Sequence, residues 1–305
     1  MLMPSDVAAG QQWPGSVQVA TWDGGPPPGP GVLDRVALYV PPYLGPAEVY
    51  ALMGAMPALA VCQTLTAGTD AVVASLPAGV TLCNAAGVHD ASTAELAVAL
   101  VLASLRGLDD FARAMPHGVW RAGRRTSLAD RTVVVVGAGG VGRAIARRLA
   151  PFETTTVLVG RSERTQDGVA VQAASDLPAL LARADVVVLA VPLTDQTRGL
   201  VNAGFLAALP DGALVVNVAR GPVVDTDALL AEVSRGRLLA ALDVTDPEPL
   251  PDNHPLWRTP GVLVSPHVGG NTTAFLPRAR VLVAEQVARF ATGEPLRHVV
   301  VAGRR

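Results

Sequence analysis

Apolar residues in this chain fall into short, dense runs separated by turn-forming residues. Residues 36–40 are wholly apolar and 58–64 and 80–84 mostly so, and with 16–21 they lie between turns rich in Pro and Gly; all four read as buried strands, with helical segments between several of them. Residues 24–31, Gly-Gly-Pro-Pro-Pro-Gly-Pro-Gly, read as a stiff loop, since strands resume directly afterwards. From Ser92 to about residue 105 the period becomes helical, opened by Ser92, Thr93, Ala94 and Glu95 in the spacing of a capping box. A second series of strands follows at 132–136, 156–159, 186–190, 214–218, 239–244 and 262–265. Six strands alternating with helices are the composition of a doubly wound parallel sheet. A last helical stretch, 274–291, is expected to pack back on the first group. The expected domains are 1–92 with 275–305, and 93–274.

Composition agrees with that reading and removes several chemistries. A chain of 305 residues exceeds the usual size of one hydrophobic core, and 50% apolar with 4% aromatic residues suits Ala-, Val- and Leu-rich strands covered by helices. The net charge of −2 creates no field that would draw nucleic acid or an anionic membrane. All 24 Lys-plus-Arg residues are Arg, which excludes Schiff-base lysines, pyridoxal chemistry and the P-loop lysine. Cys62 and Cys83 lack the spacing of a redox motif or zinc site and read as small buried apolar residues, so no metal is expected. The N-terminus has no basic region like that of a signal peptide, and no apolar run reaches the ~18 residues of a membrane span. A soluble, cytoplasmic protein is expected.

The most informative local pattern is Gly137, Gly139 and Gly142, in G-x-G-x-x-G spacing between a run of four valines and an amphipathic segment. In that context the first glycine allows a tight turn and the second lets backbone approach a pyrophosphate. The third lets the helix pack closely, its N-terminus facing the negative charge; Gly140 and Val141 complete the loop. The next strand ends in Gly160, Arg161, Ser162, Glu163 and Arg164, without the acidic residue that usually binds a ribose 2′-hydroxyl. Gly160 removes the repulsion that a 2′-phosphate would meet there, while Arg161, Ser162 and Arg164 offer two cations and a hydroxyl. NADP(H) is therefore the expected cofactor. The alternative is NAD(H), with the arginines solvated on a loop and Glu163 sharing the ribose. The fold class expected is α/β, two Rossmann-like doubly wound parallel-sheet domains with an interdomain cleft.

Three further segments fall at carboxyl ends of predicted strands, the edge where ligands collect in such sheets. They are Asn217 to Gly221, Leu242 to Pro249 and Ser265 to Gly270. Together with Thr66-Ala67-Gly68-Thr69-Asp70, Thr93-Ala94-Glu95, the glycine motif and Val191-Pro192-Leu193-Thr194, in this order, they make the chain resemble the D-isomer-specific 2-hydroxyacid dehydrogenases over most of its length. The resemblance implies that Arg220 holds a substrate carboxylate and polarises the neighbouring carbonyl, a bidentate task that Lys could not reproduce. It implies that His267 exchanges a proton with the carbonyl oxygen and that Glu248 accepts the other ring N–H, fixing the tautomer so that the two titrate as a unit. Asp243 is assigned by the same resemblance to the nicotinamide carboxamide, and the backbone amides of Thr66, Ala67 and Gly68 to the substrate carboxylate. Pro192, with Thr194 and Thr197, either packs along the dinucleotide or serves as a strand-end turn. Val218, Ala219 and Gly269 join the cofactor set as neighbours of the catalytic segments.

The other histidines are read as structural: His254 caps or packs a turn, His117 and His298 sit away from any chemistry, and His89 is a loop histidine that could line a cleft. Up to residue 105 the only Lys or Arg is Arg35, which offers no second clamp for a phosphorylated substrate. The expected reaction is NADP(H)-dependent reduction of a small 2-oxo acid, such as glyoxylate, hydroxypyruvate or pyruvate, to the D-2-hydroxy acid. The alternatives are a dinucleotide-sensing protein that resembles dehydrogenase-like corepressors, or a relative acting on phosphoglycerate or phosphite. Glu248, where the resemblance puts Gln in formate dehydrogenases, argues against formate. The apolar helix after Ser92 is expected to support a homodimer, with Trp120 able to reach across it.

Overall fold

Burial on both faces explains the dense valine and leucine runs, and it is met in two sheets of a computed structural model that describes residues 1–166 and 168–303. In chain order the described strands are β1 Leu2–Met3, β2 Ala20–Thr21, β3 Leu38–Tyr39, β4 Val61–Gln63, β5 Thr81–Cys83, β6 Thr132–Val136, β7 Thr155–Gly160, β8 Arg164–Gln166, β9 Val169–Ala173, β10 Val186–Leu189, β11 Leu214–Asn217, β12 Leu239–Leu242, β13 Val262–Val264 and β14 Val299–Val301. The longer helices are α1 Asp90–Arg106, α2 Gly140–Leu149, α3 Thr226–Ser234 and α4 Phe275–Thr292. Two compact units result, Met1–His89 with Thr272–Arg305, and Asp90–Asn271.

In the first unit the sheet order is β14-β5-β4-β3-β1-β2, parallel throughout except for β14 against β5. The period-2 alternation of strand side chains sends Leu38, Val61 and Cys83 to one face, where they meet Ala279, Leu282, Val283 and Val287 of α4. Tyr39, Cys62 and Leu82 go to the other, against Met53 and Val72. At roughly 1.5–3 kcal/mol per fully buried large side chain, these two layers supply most of the drive for this unit. The two cysteines thus lie on opposite faces of the sheet, and burial pushes the Cys62 thiol up to about 12 and the Cys83 thiol up to about 11. Strand β1 escapes the sequence pattern because two residues are too few to show a period, although both are fully buried.

The second unit carries the order β13-β12-β11-β10-β6-β7-β9-β8. Val133 and Val135 of β6 point into a layer shared with α1 and α2, while Val134 and Val136 point into a second layer with Leu180, Leu206 and Leu229. Among the described residues the unit therefore has eight strands where six were expected. The extra two are β9, beside β7, and β8, antiparallel to it on the edge, where polar and exposed Arg164 and Thr165 leave no apolar alternation to read. Arg164 accordingly lies on a strand and not on a loop.

Helix α1 starts at Asp90, so Ser92 and Thr93 are buried helical residues and not the expected capping box. The Asp90 carboxylate sits in the first turn, where the helix dipole favours negative charge. The helix stops before Gly107, whose φ of 63° is the left-handed conformation that glycine adopts without a Cβ penalty. Its apolar faces are covered within its own unit, by α2 and by the carboxyl-side strands. No single described helix is long and apolar enough to cross a membrane.

Candidate active site

The strand order of the second unit reverses between β6 and β10, and the glycine loop lies at that switch point. Gly137 follows β6 with φ 121°, and a Cβ there would stand 2.4 Å from the Ala190 carbonyl oxygen after β10. A Cβ on Gly142 would stand 1.7 Å from the Gly137 carbonyl oxygen, so α2 packs directly on the turn that precedes it. Gly139 is different: it is the N-cap of α2, no side chain caps the helix, and nothing lies within 4 Å of where its Cβ would be. Free helix amides over open space are what a pyrophosphate requires, so this loop fits a dinucleotide. Gly140 has a neighbour that the motif did not suggest, the Asp90 carboxylate, 1.9 Å from an imagined Cβ.

At the end of β7 the Arg164 guanidinium folds back over Gly160, with Nη1 2.8 Å from where a Cβ would be. It donates to the Ser162 carbonyl oxygen at 3.1 Å and, through Nε, to Gln166 Oε1 at 3.2 Å. Gly160 thus makes room for a cation as well as lacking a carboxylate. Arg161 and Ser162 are exposed beside it. After β10, Thr197 Oγ1 donates to the Pro192 carbonyl oxygen at 2.6 Å and accepts from the Thr194 amide at 2.8 Å, so this hydroxyl shapes its own turn.

The predicted chemical residues meet at the ends of β11, β12 and β13. Asn217 ends β11, its Nδ2 donating to the Arg220 carbonyl oxygen at 2.9 Å and its Oδ1 accepting from the Ala219 amide at 3.0 Å. That local bracket presents the half-buried Arg220, while Val218 and Ala219 are buried behind it. The next residue has to be glycine, because a Cβ on Gly221 would stand 1.8 Å from the Thr245 carbonyl oxygen. This close approach joins the loop after β11 to the loop after β12, where Glu248 lies. Glu248 Oε1 is 2.5 Å from His267 Nδ1. Burial alone would raise the Glu248 carboxyl, but the hydrogen bond and charge of His267, the Thr245 amide and the Arg220 charge outweigh it, holding Glu248 below the usual carboxylate range.

His267 is one of the few non-glycine residues in the left-handed region, with φ 52°. Such a conformation costs about 1–3 kcal/mol and persists only where its surroundings impose it. Here they do. The His267 amide donates to the Asp243 carbonyl oxygen at 2.8 Å, while Asp243 Oδ1 accepts from Ser265 Oγ at 2.7 Å and from the Val268 amide at 3.0 Å, and Oδ2 from the Gly269 amide at 2.9 Å. Asp243 is 2% exposed, and both its oxygens are committed to this turn. Asn217 and Ser265 open two of the segments that the sequence marks, but motif reading gave neither a role, and Asp90, beside Gly140, was not singled out.

In the first unit the loop after β4 has a one-sided hydrogen-bond pattern. The Thr66 carbonyl oxygen accepts from Thr64 Oγ1 at 2.9 Å and from the Ala85 amide at 2.9 Å, that of Ala67 from Asn84 Nδ2 at 2.7 Å, and that of Gly68 from Thr66 Oγ1 at 2.7 Å. Among the described residues the amides of Thr66, Ala67 and Gly68 donate to no protein acceptor. Carbonyls tied inward with amides left over make an anion cradle.

A sequence profile described as "D-isomer specific 2-hydroxyacid dehydrogenase, NAD binding domain" matches residues 98–269. The chain is 35% identical over 248 residues to the human glyoxylate reductase/hydroxypyruvate reductase, covering 78% of this chain and 76% of that one. The D-isomer-specific 2-hydroxyacid dehydrogenase of Xanthobacter autotrophicus, solved with NADPH and MES, superimposes with a TM-score of 0.81 at 33% identity, over 99% of this chain and 97% of that one. The NADPH-dependent glyoxylate/hydroxypyruvate reductase of Sinorhizobium meliloti, solved with NADP and sulfate, gives 0.84 at 28% identity over 99% of both chains. With the glycine loop, the Arg220 bracket and the His267–Glu248 pair in place, the chain belongs to the D-isomer-specific 2-hydroxyacid dehydrogenases, which use a nicotinamide dinucleotide to interconvert a CH–OH group and a carbonyl.

Proposed function

We propose that this enzyme reduces a small 2-oxo acid of the glyoxylate or hydroxypyruvate class to its D-2-hydroxy acid and prefers NADPH. The observation that carries the reading is the His267 Nδ1 to Glu248 Oε1 contact at 2.5 Å, with the Arg220 charge acting on the same carboxylate. Bound NADPH supplies a hydride. Glu248, acceptor-only when ionised, keeps a proton on Nδ1 of His267 and leaves Nε2 to give its proton to the substrate carbonyl oxygen as C2 gains the hydride. The imidazole then returns to neutral with its remaining proton still on Nδ1. Arg220 pairs with the substrate carboxylate and draws electron density from the adjacent carbonyl. The amides of Thr66, Ala67 and Gly68 are assigned to a carboxylate oxygen. Asp243 remains assigned to the nicotinamide carboxamide, alongside its role in holding the histidine turn.

The NADPH preference rests on Gly160 and on Arg164 lying over it, with Arg161 and Ser162 beside them. Both relatives described above with a bound dinucleotide carry the phosphorylated form. A homodimer is part of the same proposal. After α1 the chain exposes Leu108 at 50%, Met115 at 77%, Val119 at 51% and Trp120 at 93%, an apolar strip within a dozen or so residues. Light scattering on the purified protein reads the mass directly, and a monomer would remove that part.

The test is initial-rate oxidation of NADPH and NADH against glyoxylate, hydroxypyruvate, pyruvate and phenylpyruvate. Turnover favouring NADPH is expected, falling about 10²–10⁴-fold in His267→Ala. Gly160→Asp should move the preference towards NADH. NADPH binding without turnover on any of these acids would overturn the assignment and favour a dinucleotide sensor.

A further inference from the structure

His89 is 7% exposed and belongs to the first unit, yet the chemistry assigned above does not use it. Its Nε2 lies 2.7 Å from the Leu65 carbonyl oxygen. A carbonyl oxygen only accepts, so Nε2 carries the proton, and the tautomer follows from the contact. The ring packs against an aromatic pair, with centroids 5.4 Å from Tyr43 and 5.3 Å from Phe275, at the start of α4, whose own rings lie 4.1 Å apart. Leu65 immediately precedes the three residues whose amides form the anion cradle.

With His89 included, every carbonyl from Thr64 to Gly68 has a named donor, since Gln63 Nε2 donates to the Thr64 carbonyl oxygen at 2.8 Å. Gln63 is itself fixed by α4, its Oε1 accepting from Gln286 Nε2 at 2.7 Å with both side chains fully buried. Successive peptide planes in a tight loop cannot turn independently. Holding the carbonyl of Leu65 inward sets the plane that carries the Thr66 amide, the first of the cradle. Of the five carbonyl anchors, His89 is the one supplied from outside the neighbouring strand ends and locked by an aromatic stack.

We infer that His89 is a positioning residue for substrate: its Nε2–H pins the Leu65 carbonyl and thereby aims the Thr66, Ala67 and Gly68 amides at the anionic group. The inference rests on the proposed 2-oxo acid reading for its ligand, but not for its geometry.

Two variants separate the hydrogen bond from the ring. His89→Phe keeps a flat ring against Tyr43 and Phe275 and lacks the donor, whereas His89→Gln keeps a donor and loses the ring. The expected result is a KM for glyoxylate about tenfold higher in His89→Phe, equivalent to ~1.4 kcal/mol, with kcat within about twofold and NADPH affinity unchanged. His89→Gln should recover most of the KM while melting at a lower temperature. Hydrogen exchange supplies a readout independent of turnover, because the amides of Thr64 and Ala85, which tie the loop to its neighbours, should exchange faster in His89→Phe. An unchanged KM in His89→Phe, or a His89→Gln enzyme as impaired as His89→Phe, overturns the inference. Should the wild type turn over none of the acids, the proposed function fails, and unchanged Thr64 and Ala85 exchange in His89→Phe then overturns the positioning role by itself.

Discussion

Replacing Asp243 by Asn keeps the size of the side chain while removing its charge and turning one acceptor position into a donor, which makes it a probe of the turn that carries His267. The carboxylate accepts three hydrogen bonds, from Ser265 Oγ and the Val268 amide on Oδ1 and from the Gly269 amide on Oδ2. Asn has one acceptor oxygen and one donor group, so one of these positions becomes donor facing donor. If the amide oxygen takes the Oδ1 place, two bonds survive and the buried Gly269 amide is orphaned. In the opposite orientation the Ser265 hydroxyl can rotate and accept, but the Val268 amide cannot. The first orientation is cheaper. It loses one charge-assisted bond and leaves one buried donor unpaired, and either of these is worth about 1.5–3 kcal/mol. The two costs describe the same contact, so ~2–3 kcal/mol is the expected loss. At 2–4 °C per kcal/mol for chains of this size class, thermal unfolding should fall by roughly 5–10 °C. The loosened turn also no longer imposes φ 52° on His267, so kcat should fall at least about tenfold, more than in Ser265→Ala, which removes only the hydroxyl donor. Amide exchange at Val268 and Gly269 reports the turn directly. An Asp243→Asn protein that melts within ~2 °C of wild type, with those amides equally protected, would refute the argument that this carboxylate holds His267 in place.

Gly142→Ala would ordinarily stabilise a helix by about 0.5–1 kcal/mol, but its Cβ would stand 1.7 Å from the Gly137 carbonyl oxygen, so the clash decides the sign. Lower stability and weaker NADPH binding are expected together in a fluorescence titration and a melt; a more stable variant with intact binding would contradict the packing described. Because the folded-state carboxyl of Glu248 titrates below its ordinary 4.5, its contribution to stability is complete above that value and is lost as pH falls through the lower folded one. The difference in melting temperature between wild type and Glu248→Gln should therefore shrink as pH falls below about 4.5. Cys62 and Cys83, buried and with thiols pushed far above neutrality, should resist iodoacetamide at pH 8 in the folded protein and react fully in urea, as counted by mass spectrometry.

What could be read from the chain before its structure depended on whether a constraint acts on a residue type or on backbone alone. Strands β6, β10 and β11 are buried on both faces, so all their positions except Thr132 and Asn217 at two strand ends are apolar, and their runs end within a residue or so of the observed bounds. Strand β8 is restricted on neither face, and no pattern marks it. Helix α1 shows a subtler failure: Ser92 and Thr93 have the spacing of a cap, but a capping residue stands at the helix edge outside the helical conformation, and these two are buried within the first turn of a helix that Asp90 begins.

The same distinction separates the groups proposed to react from what holds them. Arg220, Glu248 and His267 could be picked out by type, because only a guanidinium, a carboxylate and an imidazole serve the roles that the family resemblance implies. Their support is mostly main chain. Gly221 brings the β11 loop onto the Thr245 carbonyl, Asp243 spends its oxygens on two amides and a hydroxyl, and the anion cradle exists because its carbonyls are taken. A backbone amide or carbonyl is present at nearly every position of any sequence, so its use leaves no letter behind. It follows that substitutions at the residues that hold these backbone groups, Asn217, Asp243 and His89, should impair the enzyme by amounts that a catalogue of reacting side chains would assign to none of them.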